Sequence, residues 1–134
     1  MSVVPVHALP IHAFLETIEQ SFCEQQNVVL QAEPGAGKST AVPLHLLSAP
    51  WLVGEGGDAQ KIIMLEPRRV AAKSIAHFLA QQLGEKVGER IGYHVKNDRK
   101  VSAHTQLEIV TEGILTRRLQ SDPELSDVGL IIFD

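Results

Sequence analysis

The stretch at residues 28–40 constrains the fold of this chain more than any other. It reads VVLQAEPGAGKST: a short apolar run, a turn with two glycines, a lysine and two hydroxyl residues, after which a helical pattern begins. A strand that feeds such a turn and then a helix is the layout of a phosphate-binding loop, whose backbone N–H groups surround a phosphate chain. The helix N-terminus adds unpaired N–H groups and the positive end of the helix dipole. The stretch therefore predicts a P-loop.

Each residue type in this loop suits the binding of a nucleotide. The predicted set is Gly35, Ala36, Gly37, Lys38, Ser39 and Thr40. The two glycines allow positive φ and a close approach of the backbone to phosphate. The Lys38 ammonium is expected to reach the β- and γ-phosphates, and the Ser39 hydroxyl to bind Mg²⁺.

The loop is one residue short of the common pattern G-x-x-x-x-G-K-[ST], because Ala32 stands where the first glycine is usual. Pro34 also has no N–H to donate to a phosphate. The alternative interpretation is a glycine-rich turn that caps an ordinary helix. We favour the phosphate-binding loop because the strand before it and the helix after it are both predicted.

The composition is that of an ordinary soluble domain and limits the partners of the chain. Its 134 residues suffice for one compact domain, and 44% of them are hydrophobic and 21% charged. The net charge of −4 gives no reason to propose nucleic-acid binding by the chain as a whole, so any such surface must be local. No apolar run approaches the roughly 20 residues that cross a bilayer, and the sequence shows no signal peptide. We therefore expect a cytoplasmic protein without a membrane partner.

The single cysteine and the histidines suggest no chemistry of their own. Cys23 fits a reducing compartment, and we predict it to be a small buried hydrophobic residue rather than a catalytic one. The six histidines show no spacing typical of a metal site, so we predict structural or surface roles for them.

Strands and helices alternate along the chain. Apolar runs predict strands at residues 28–31, 61–66, 90–95, 107–110 and 128–133, and helical periodicity predicts helices at residues 10–25, 38–47, 69–83 and 112–120. The strands are continuous apolar runs, which is typical of a parallel sheet covered on both faces. Residues 1–9 are predicted to be a short apolar lead, marked by a proline and partly ordered at best.

Some local features carry predictions of their own. Four apolar residues of the helix at residues 69–83 are predicted to face inward: Val70, Ile75, Phe78 and Leu79. Pro43 is expected to kink the helix after the loop, and Trp51 to pack against the body of the protein. The segment KNDRK at residues 96–100 is predicted to be a solvated turn, with contact to a polyanion as the alternative.

Polar residues follow three of the predicted strands at the point where each strand ends. Arg68 and Arg69 suit phosphate contacts, although one salt bridge and one solvated side chain are an equal alternative. Thr111, with Gly113 close by, is equally a plain helix N-cap. Asp134 follows the last strand and can hold Mg²⁺ opposite the serine of the loop, although many strands end in an aspartate.

Four segments stand in a fixed order: GAGKST at residues 35–40, PRRVAA at residues 67–72, TEG at residues 111–113, and an apolar strand that ends in Asp134. Together they resemble motifs I, Ia, Ib and the start of motif II in superfamily 2 helicases of the DEAH/RHA type. The combination of PRRVAA with TEGILTR is specific, and GYHV at residues 92–95 also fits. The resemblance extends from about Leu9 to the end of the sequence, as the N-terminal part of a much longer protein.

The resemblance implies an α/β fold. The expected structure is a RecA-like P-loop NTPase domain with a mostly parallel sheet and helices on both faces, truncated at the motif II strand. Residues 1–9 would be a lead, and residues 10–134 the N-terminal part of an incomplete first RecA-like domain. Such sheets place a strand from beyond motif II between the P-loop strand and the motif II strand. We therefore expect exposed sheet edges, and with them either altered strand pairing or self-association or strand exchange between copies of the fragment.

The resemblance also implies ATP and Mg²⁺ as cofactors. Lys38 and Asp134 are the implied catalytic residues, and Ser39 and Asp134 the implied Mg²⁺ ligands. For nucleic acid, it implies that Arg68 and Thr111 contact the backbone of a single strand of RNA or DNA. Two neighbours would support that contact: Arg69 and Gly113.

The function that the resemblance implies is that of an N-terminal fragment of an ATP-dependent nucleic-acid helicase. The fragment alone is expected to be inactive, because the glutamate that positions water and the arginine finger lie beyond it in this family. The alternative is a P-loop regulatory module or a small nucleotide kinase. A kinase would need a lid with catalytic arginines, for which the sequence offers no segment.

Overall fold

The computed structural model describes residues 2–6, 11–32, 37–54 and 57–134. Its strands are β1 (Ser2–Val6), β2 (Val28–Ala32), β3 (Lys61–Leu65), β4 (Ile91–Val95), β5 (Asp98–Lys100), β6 (Leu107–Val110) and β7 (Val128–Phe133). Its α-helices are α1 (Leu15–Glu24), α2 (Lys38–Leu46), α3 (Arg69–Gln82) and α4 (Glu112–Ser121), and a 3₁₀ helix, Ile11–Phe14, precedes α1. Within the described residues, no helix is long and apolar enough to span a membrane. The chain divides into two compact units, Met1–Trp51 and Leu52–Asp134.

The first unit contains a parallel pair of strands. β1 and β2 lie side by side, with Ser2 opposite Val28 and Val6 opposite Ala32. β1 falls in the segment that we predicted to be a lead, partly ordered at best. Its valines favour extended backbone. Pro5 interrupts the run of valines, and a proline inside such a run argues against a strand.

Among the residues of this unit whose burial is described, the buried aliphatic ones lie in the helices and their flanks: Ile11, Ile18, Val42, Leu46 and Ala49. Trp51 packs against α1 as predicted, because its Nε1 donates to the carbonyl oxygen of Glu19 at 3.1 Å and its ring centroid lies 5.0 Å from that of Phe22. Pro43 is buried within α2, and the N–H of Leu47 donates to its carbonyl oxygen at 3.3 Å. The helix thus continues past the proline, and the kink stays a prediction.

The prediction for Cys23 is wrong, since its side chain is exposed. In α1 the fully buried position is Ile18. At 3.6 residues per turn, a residue five positions further along points roughly 140° away from it. The thiol therefore lies on the solvent side of the helix.

The second unit contains a five-stranded sheet in the order β5-β4-β6-β3-β7. The neighbours β4 and β6, β6 and β3, and β3 and β7 are parallel. Among these described strands only β5 is antiparallel, to β4. The predicted mostly parallel α/β sheet is confirmed.

β5 is a strand where we predicted a polar turn. A turn is present, but it is shorter: Val95 pairs with Asp98, which leaves Lys96 and Asn97 between the strands. Asn97 has a φ of 62°, a left-handed conformation that asparagine tolerates. The sequence Asp-Arg-Lys of β5 has no apolar alternation that could mark a strand.

α3 and α4 cover opposite faces of this sheet, as predicted. Neighbouring residues of a strand point to opposite faces. On one face, Val110 of β6 packs with Leu115 of α4. On the other face, Tyr93 of β4 lies opposite Ile109 of β6, and its ring centroid is 6.1 Å from that of His77 of α3.

The predicted inward face of α3 is partly wrong. Leu79 is fully buried and Ile75 half-buried, but Val70 is 77% and Phe78 44% exposed. The buried residues of the helix are Ala72, Ala76, Leu79 and Ala80. Because alanines let a helix approach the sheet closely, the buried stripe follows them, and two bulkier side chains remain outside.

β2 and β7 both lie at sheet edges in the described part of the chain. β2 pairs with β1 and β7 with β3, in two separate sheets. β7 (VGLIIF) carries no charge, and its last residue, Phe133, is 72% exposed. An apolar edge of this kind favours pairing with a further strand. Self-association of copies through such an edge stays a prediction.

Gly92 of β4 occupies a position in which a side chain does not fit. A Cβ there would lie 2.5 Å from the carbonyl oxygen of Lys100 and 2.8 Å from Cγ1 of Val101. Since that oxygen belongs to the backbone, it cannot swing aside. Gly92→Ala is therefore expected to lower the free energy of unfolding by about 1–3 kcal/mol. Urea denaturation of the 134-residue chain, followed by circular dichroism, measures this change.

Gly113→Ala is the matched control for this substitution. A Cβ at Gly113 would meet no atom within 4 Å, and the residue lies in α4. Alanine favours the helix and is expected to add about 0.5–1 kcal/mol of stability. Equal stabilities of the two variants would contradict the packing argument.

Candidate functional site

The turn between β2 and α2 ends at a glycine with left-handed backbone. Residues 33–36 lie outside the described residues, and with them the predicted roles of Gly35 and Ala36. Gly37 has a φ of 96° and is the N-cap of α2. A Cβ there would lie 3.0 Å from Cγ2 of Ile11, which is fully buried. Both the φ angle and the packing favour glycine, and the strand and helix predicted around the loop are confirmed.

The first turn of α2 carries the other predicted nucleotide residues. The carbonyl oxygen of Gly37 accepts hydrogen bonds from the N–H of Ala41 at 2.9 Å and from that of Thr40 at 3.3 Å. The Thr40 hydroxyl donates to the same oxygen at 3.4 Å. Lys38 is exposed, and Ser39 is half-buried. An anion at this helix N-terminus would meet both the Lys38 ammonium and the positive end of the dipole.

Three predicted site residues of the second unit follow strands that end at one edge of the sheet. The N–H of Glu66 donates to the last carbonyl oxygen of β6 at 3.0 Å, and the N–H of Asp134 to the last carbonyl oxygen of β3 at 3.2 Å. The segments that carry Arg68, Thr111 and Asp134 therefore leave the sheet side by side. Ligands of open α/β sheets bind at this end of the strands.

Arg68 is held at this edge by a buried carboxylate. Oε1 of Glu66 accepts from the backbone N–H and from Nε of Arg68, both at 3.2 Å. The side chain of Glu66 is 5% exposed and that of Arg68 81%. Arg69 is also exposed. This arrangement is the one salt bridge and one solvated arginine of the alternative interpretation. The same arrangement is also compatible with phosphate contacts, so only a binding measurement distinguishes the two interpretations.

Thr111 is the N-cap residue of α4, but its side chain makes no capping hydrogen bond. Thr111 therefore stands at the N-cap position, as the plain N-cap interpretation predicts, but the hydrogen bond that such a cap would make is absent. Gly113, in the first turn of the same helix, is exposed and has open space where a Cβ would stand. A ligand can approach the backbone closely at this point.

The predicted site residues divide between the two units. Lys38 and Ser39 belong to the first unit, whereas Arg68, Thr111 and Asp134 belong to the second. Each unit brings its own members together. The Mg²⁺ site predicted to join Ser39 with Asp134 stays a prediction.

One network that the sequence does not reveal links α3 to β4 and β5. Nζ of Lys73 lies 2.8 Å from Oδ2 of Asp98, and the hydroxyl of Tyr93 donates to the same oxygen at 3.0 Å. The hydrogen bond from Lys73 lowers the pKa of Asp98, and the same bond raises the pKa of Lys73. Burial raises the pKa of Tyr93. No pattern in the sequence pairs these residues, because the pairing depends on the unpredicted strand β5.

A second unpredicted cluster lies beneath α4. Glu108, within β6, is 3% exposed, and Nη2 of Arg118 donates to its Oε2. The same Nη2 lies 3.3 Å from Nδ1 of His94. Burial, and then the charge of Arg118, lowers the pKa of His94. These residues line a cavity of about 290 Å³.

The fold and these motifs match a known protein family. The chain belongs to the DEAD/DEAH box helicase family, whose sequence profile matches residues 13–134. It is 47% identical over 127 residues to the ATP-dependent RNA helicase HrpB of Escherichia coli, covering 95% of this chain and 15% of that protein. It is 34% identical over 129 residues to the ATP-dependent RNA helicase DHX30 of Gallus gallus, covering 96% of this chain and 10% of that protein. The chain thus spans a small part of the length of these relatives.

Solved structures show the same similarity. Two crystal structures of E. coli HrpB superpose with TM-scores of 0.85 and 0.86 at 47% identity, over 95% of this chain and 15% or 16% of theirs. The RecA-like fold and the predicted membership of the DEAH-type helicases are confirmed. The matches do not favour a regulatory module or a nucleotide kinase.

Proposed function

We propose that this chain is the N-terminal part of the first motor domain of an ATP-dependent helicase that acts on RNA. The observation that carries the proposal is the shared edge of the second unit, where Arg68, Thr111 and Asp134 follow neighbouring parallel strands. The printed names of the relatives supply ATP dependence and RNA. Since the chain covers 10% to 15% of those relatives, the helicase activity is assigned to a longer protein.

The nucleotide part of the proposal places ATP and Mg²⁺ at the N-terminus of α2. The residues fit a triphosphate, because Gly37 presents backbone without a Cβ and Lys38 is exposed at the positive end of a helix. The backbone of residues 35–37 and the Lys38 ammonium would hold the phosphates. Ser39 and Asp134 would hold Mg²⁺, which supplies charge neutralisation at the β- and γ-phosphates.

The nucleic-acid part places the phosphates of a single strand along the edge where α3 and α4 begin. Both helix N-termini favour anions. Arg68 reaches outward from its anchor on Glu66, and the Thr111 hydroxyl is not used for capping. Arg69 would add charge, and Gly113 would allow close approach. Contacts of this kind to the phosphate backbone bind a strand without selecting its sequence.

The proposal also fixes what the chain does alone. As the resemblance to the family implies, the 134-residue chain is expected to hydrolyse ATP negligibly by itself. The proposed location of the protein is the cytoplasm.

Arg68→Ala tests the nucleic-acid contact in the full-length natural protein. Each phosphate contact with a single strand contributes about 0.7 to the slope of log K against log salt, because it releases a counterion. The variant is therefore expected to bind oligouridine more weakly and with a slope shallower by about 0.7. Fluorescence anisotropy at several salt concentrations gives both quantities.

Arg90→Ala is the matched control. Nε of Arg90 donates to Oε2 of Glu85 at 2.6 Å, so an arginine–glutamate pair is again broken. Arg90 precedes β4 and therefore lies at the opposite edge of the sheet from Arg68. Its slope is expected to equal that of the wild type. An unchanged slope in Arg68→Ala would refute the assigned contact.

A further inference from the structure

Glu108 is a buried charged side chain that lines the same cavity as His94 and Arg118. It lies within β6 on the face that α4 covers, and it is 3% exposed. A buried carboxylate needs a partner, because loss of water disfavours its charge. That partner is Arg118 of α4, whose Nη2 donates to Oε2 of Glu108.

His94 of β4 completes the cluster. Its Nδ1 lies 3.3 Å from Nη2 of Arg118 and 3.9 Å from Oε2 of Glu108. A guanidinium can only donate hydrogen bonds, so Nδ1 accepts and the ring carries its proton on Nε2. The imidazole is then neutral, and Arg118 is the cation that balances Glu108.

The ion pair fastens α4 to the sheet beyond the apolar contacts of the helix. Ile114 and Leu115 pack with Val110 of β6. Apolar packing is non-directional and resists a small rotation of the helix only weakly. A charged hydrogen bond is directional and selects one position. Replacing a buried ion pair with apolar residues often leaves stability unchanged. We therefore assign to this pair a role in fixing the position of α4 and not a role in stability.

We propose that Arg118 is a positioning residue for the nucleic-acid contact. Its pair with Glu108 fixes α4 on the sheet and thereby holds Thr111 and Gly113, at the N-terminal end of the same helix, beside Arg68. The inference rests on the proposed function, because it concerns the edge at which nucleic acid is proposed to bind. Arg118 itself is proposed to contact no phosphate, because its guanidinium is hydrogen-bonded to Glu108 and His94 beneath the helix.

The experiment compares two variants of the full-length natural protein with the wild type. The double variant Glu108→Met with Arg118→Met removes both charges and leaves no lone buried ion. Arg117→Met is the control, because it removes an arginine from an exposed neighbouring position on α4 and leaves both members of the pair in place. Amide hydrogen exchange at residues 115–118 reports the first turn of α4, since the N–H of Leu115 donates to the carbonyl oxygen of Thr111. Binding of oligouridine is measured separately across a salt series.

The double variant is expected to exchange faster at residues 115–118 and to bind oligouridine about 2- to 30-fold more weakly. Its salt slope is expected to stay that of the wild type, because no phosphate contact is lost. The control is expected to leave the exchange unchanged.

Unchanged exchange and unchanged affinity in a folded double variant would overturn the proposal. A slope shallower by about 0.7 would also overturn it, because Arg118 would then contact a phosphate directly. If the wild type binds no oligouridine, the proposed function fails, and the exchange data alone decide the role of Arg118. If the double variant does not fold, Glu108→Gln weakens the same pair with little change of shape. Faster exchange at residues 115–118 in that variant supports the proposal, and unchanged exchange overturns it.

Discussion

Lys38→Ala in the full-length natural protein is expected to lower kcat for ATP hydrolysis by about 10²- to 10³-fold, the usual loss when one charge-stabilising donor is removed from a transition state. The ammonium is expected to reach the β- and γ-phosphates, where negative charge develops during transfer. Lys38 is exposed at the start of α2, so the substitution opens no cavity in the core. Steady-state hydrolysis at saturating ATP and Mg²⁺, with oligouridine present, measures the loss.

Lys86→Ala is the control for this experiment. Lys86 is an exposed lysine in the loop after α3, so its loss changes the net charge equally. Its kcat is expected to match that of the wild type. Full activity in Lys38→Ala would refute the proposed role of the loop in ATP hydrolysis. Turnover by the 134-residue chain alone, abolished by Lys38→Ala, would instead retain the loop and refute the expected inactivity of the chain.

Arg118→Met as a single substitution is expected to lower the free energy of unfolding by about 3–5 kcal/mol, because it leaves the carboxylate of Glu108 buried without its cation. Urea denaturation of the 134-residue chain at pH 8 measures this loss. Adding Glu108→Met to the variant is expected to recover most of the stability. Arg117→Met, which removes an exposed charge, is expected to change stability by less than about 0.5 kcal/mol.

The loss in Arg118→Met is expected to shrink as the pH falls. In the wild type, burial and the charge of Arg118 lower the pKa of His94 from 6.5. The unfolded chain then binds more protons than the folded one, so His94 costs stability as the pH falls below 6.5. Without Arg118, Glu108 favours a charged His94, although Arg99 and Arg117 still oppose it. A larger loss at pH 5.5 than at pH 8 would contradict the arrangement of the cluster.

Most of the fold follows from the sequence, because its elements are marked by local patterns. The apolar runs that became β2, β3, β6 and β7 predict a parallel sheet, and the alternating helical segments predict its cover. The two strands without such a pattern were missed. β1 is interrupted by Pro5, and β5 consists of three charged residues, so each depends on its partner strand and not on its own composition.

The candidate site could be predicted only where it is carried by contiguous motifs. The residues of the loop and of the strand ends stand next to structural signals, and their placement at helix N-termini and at one sheet edge follows from the order of elements. The Lys73–Asp98 and Arg118–Glu108 pairs have no such signal. Each joins a helix to a strand, and the partners meet only after the sheet has its register. The prediction of side-chain burial also fails in part on α3. Its buried face is set by alanines, whereas Val70 and Phe78 are exposed.

The position of Ile11 limits where this domain can be truncated at its N-terminal side. Its methyl group stands 3.0 Å from the place where a side chain on Gly37 would begin, yet the helicase profile starts only at residue 13. A truncated protein cut at the profile boundary would keep every recognised motif and still lose the side chain that packs against Gly37. Expression work on such domains should therefore retain the residues ahead of the first helix, even though no motif includes them.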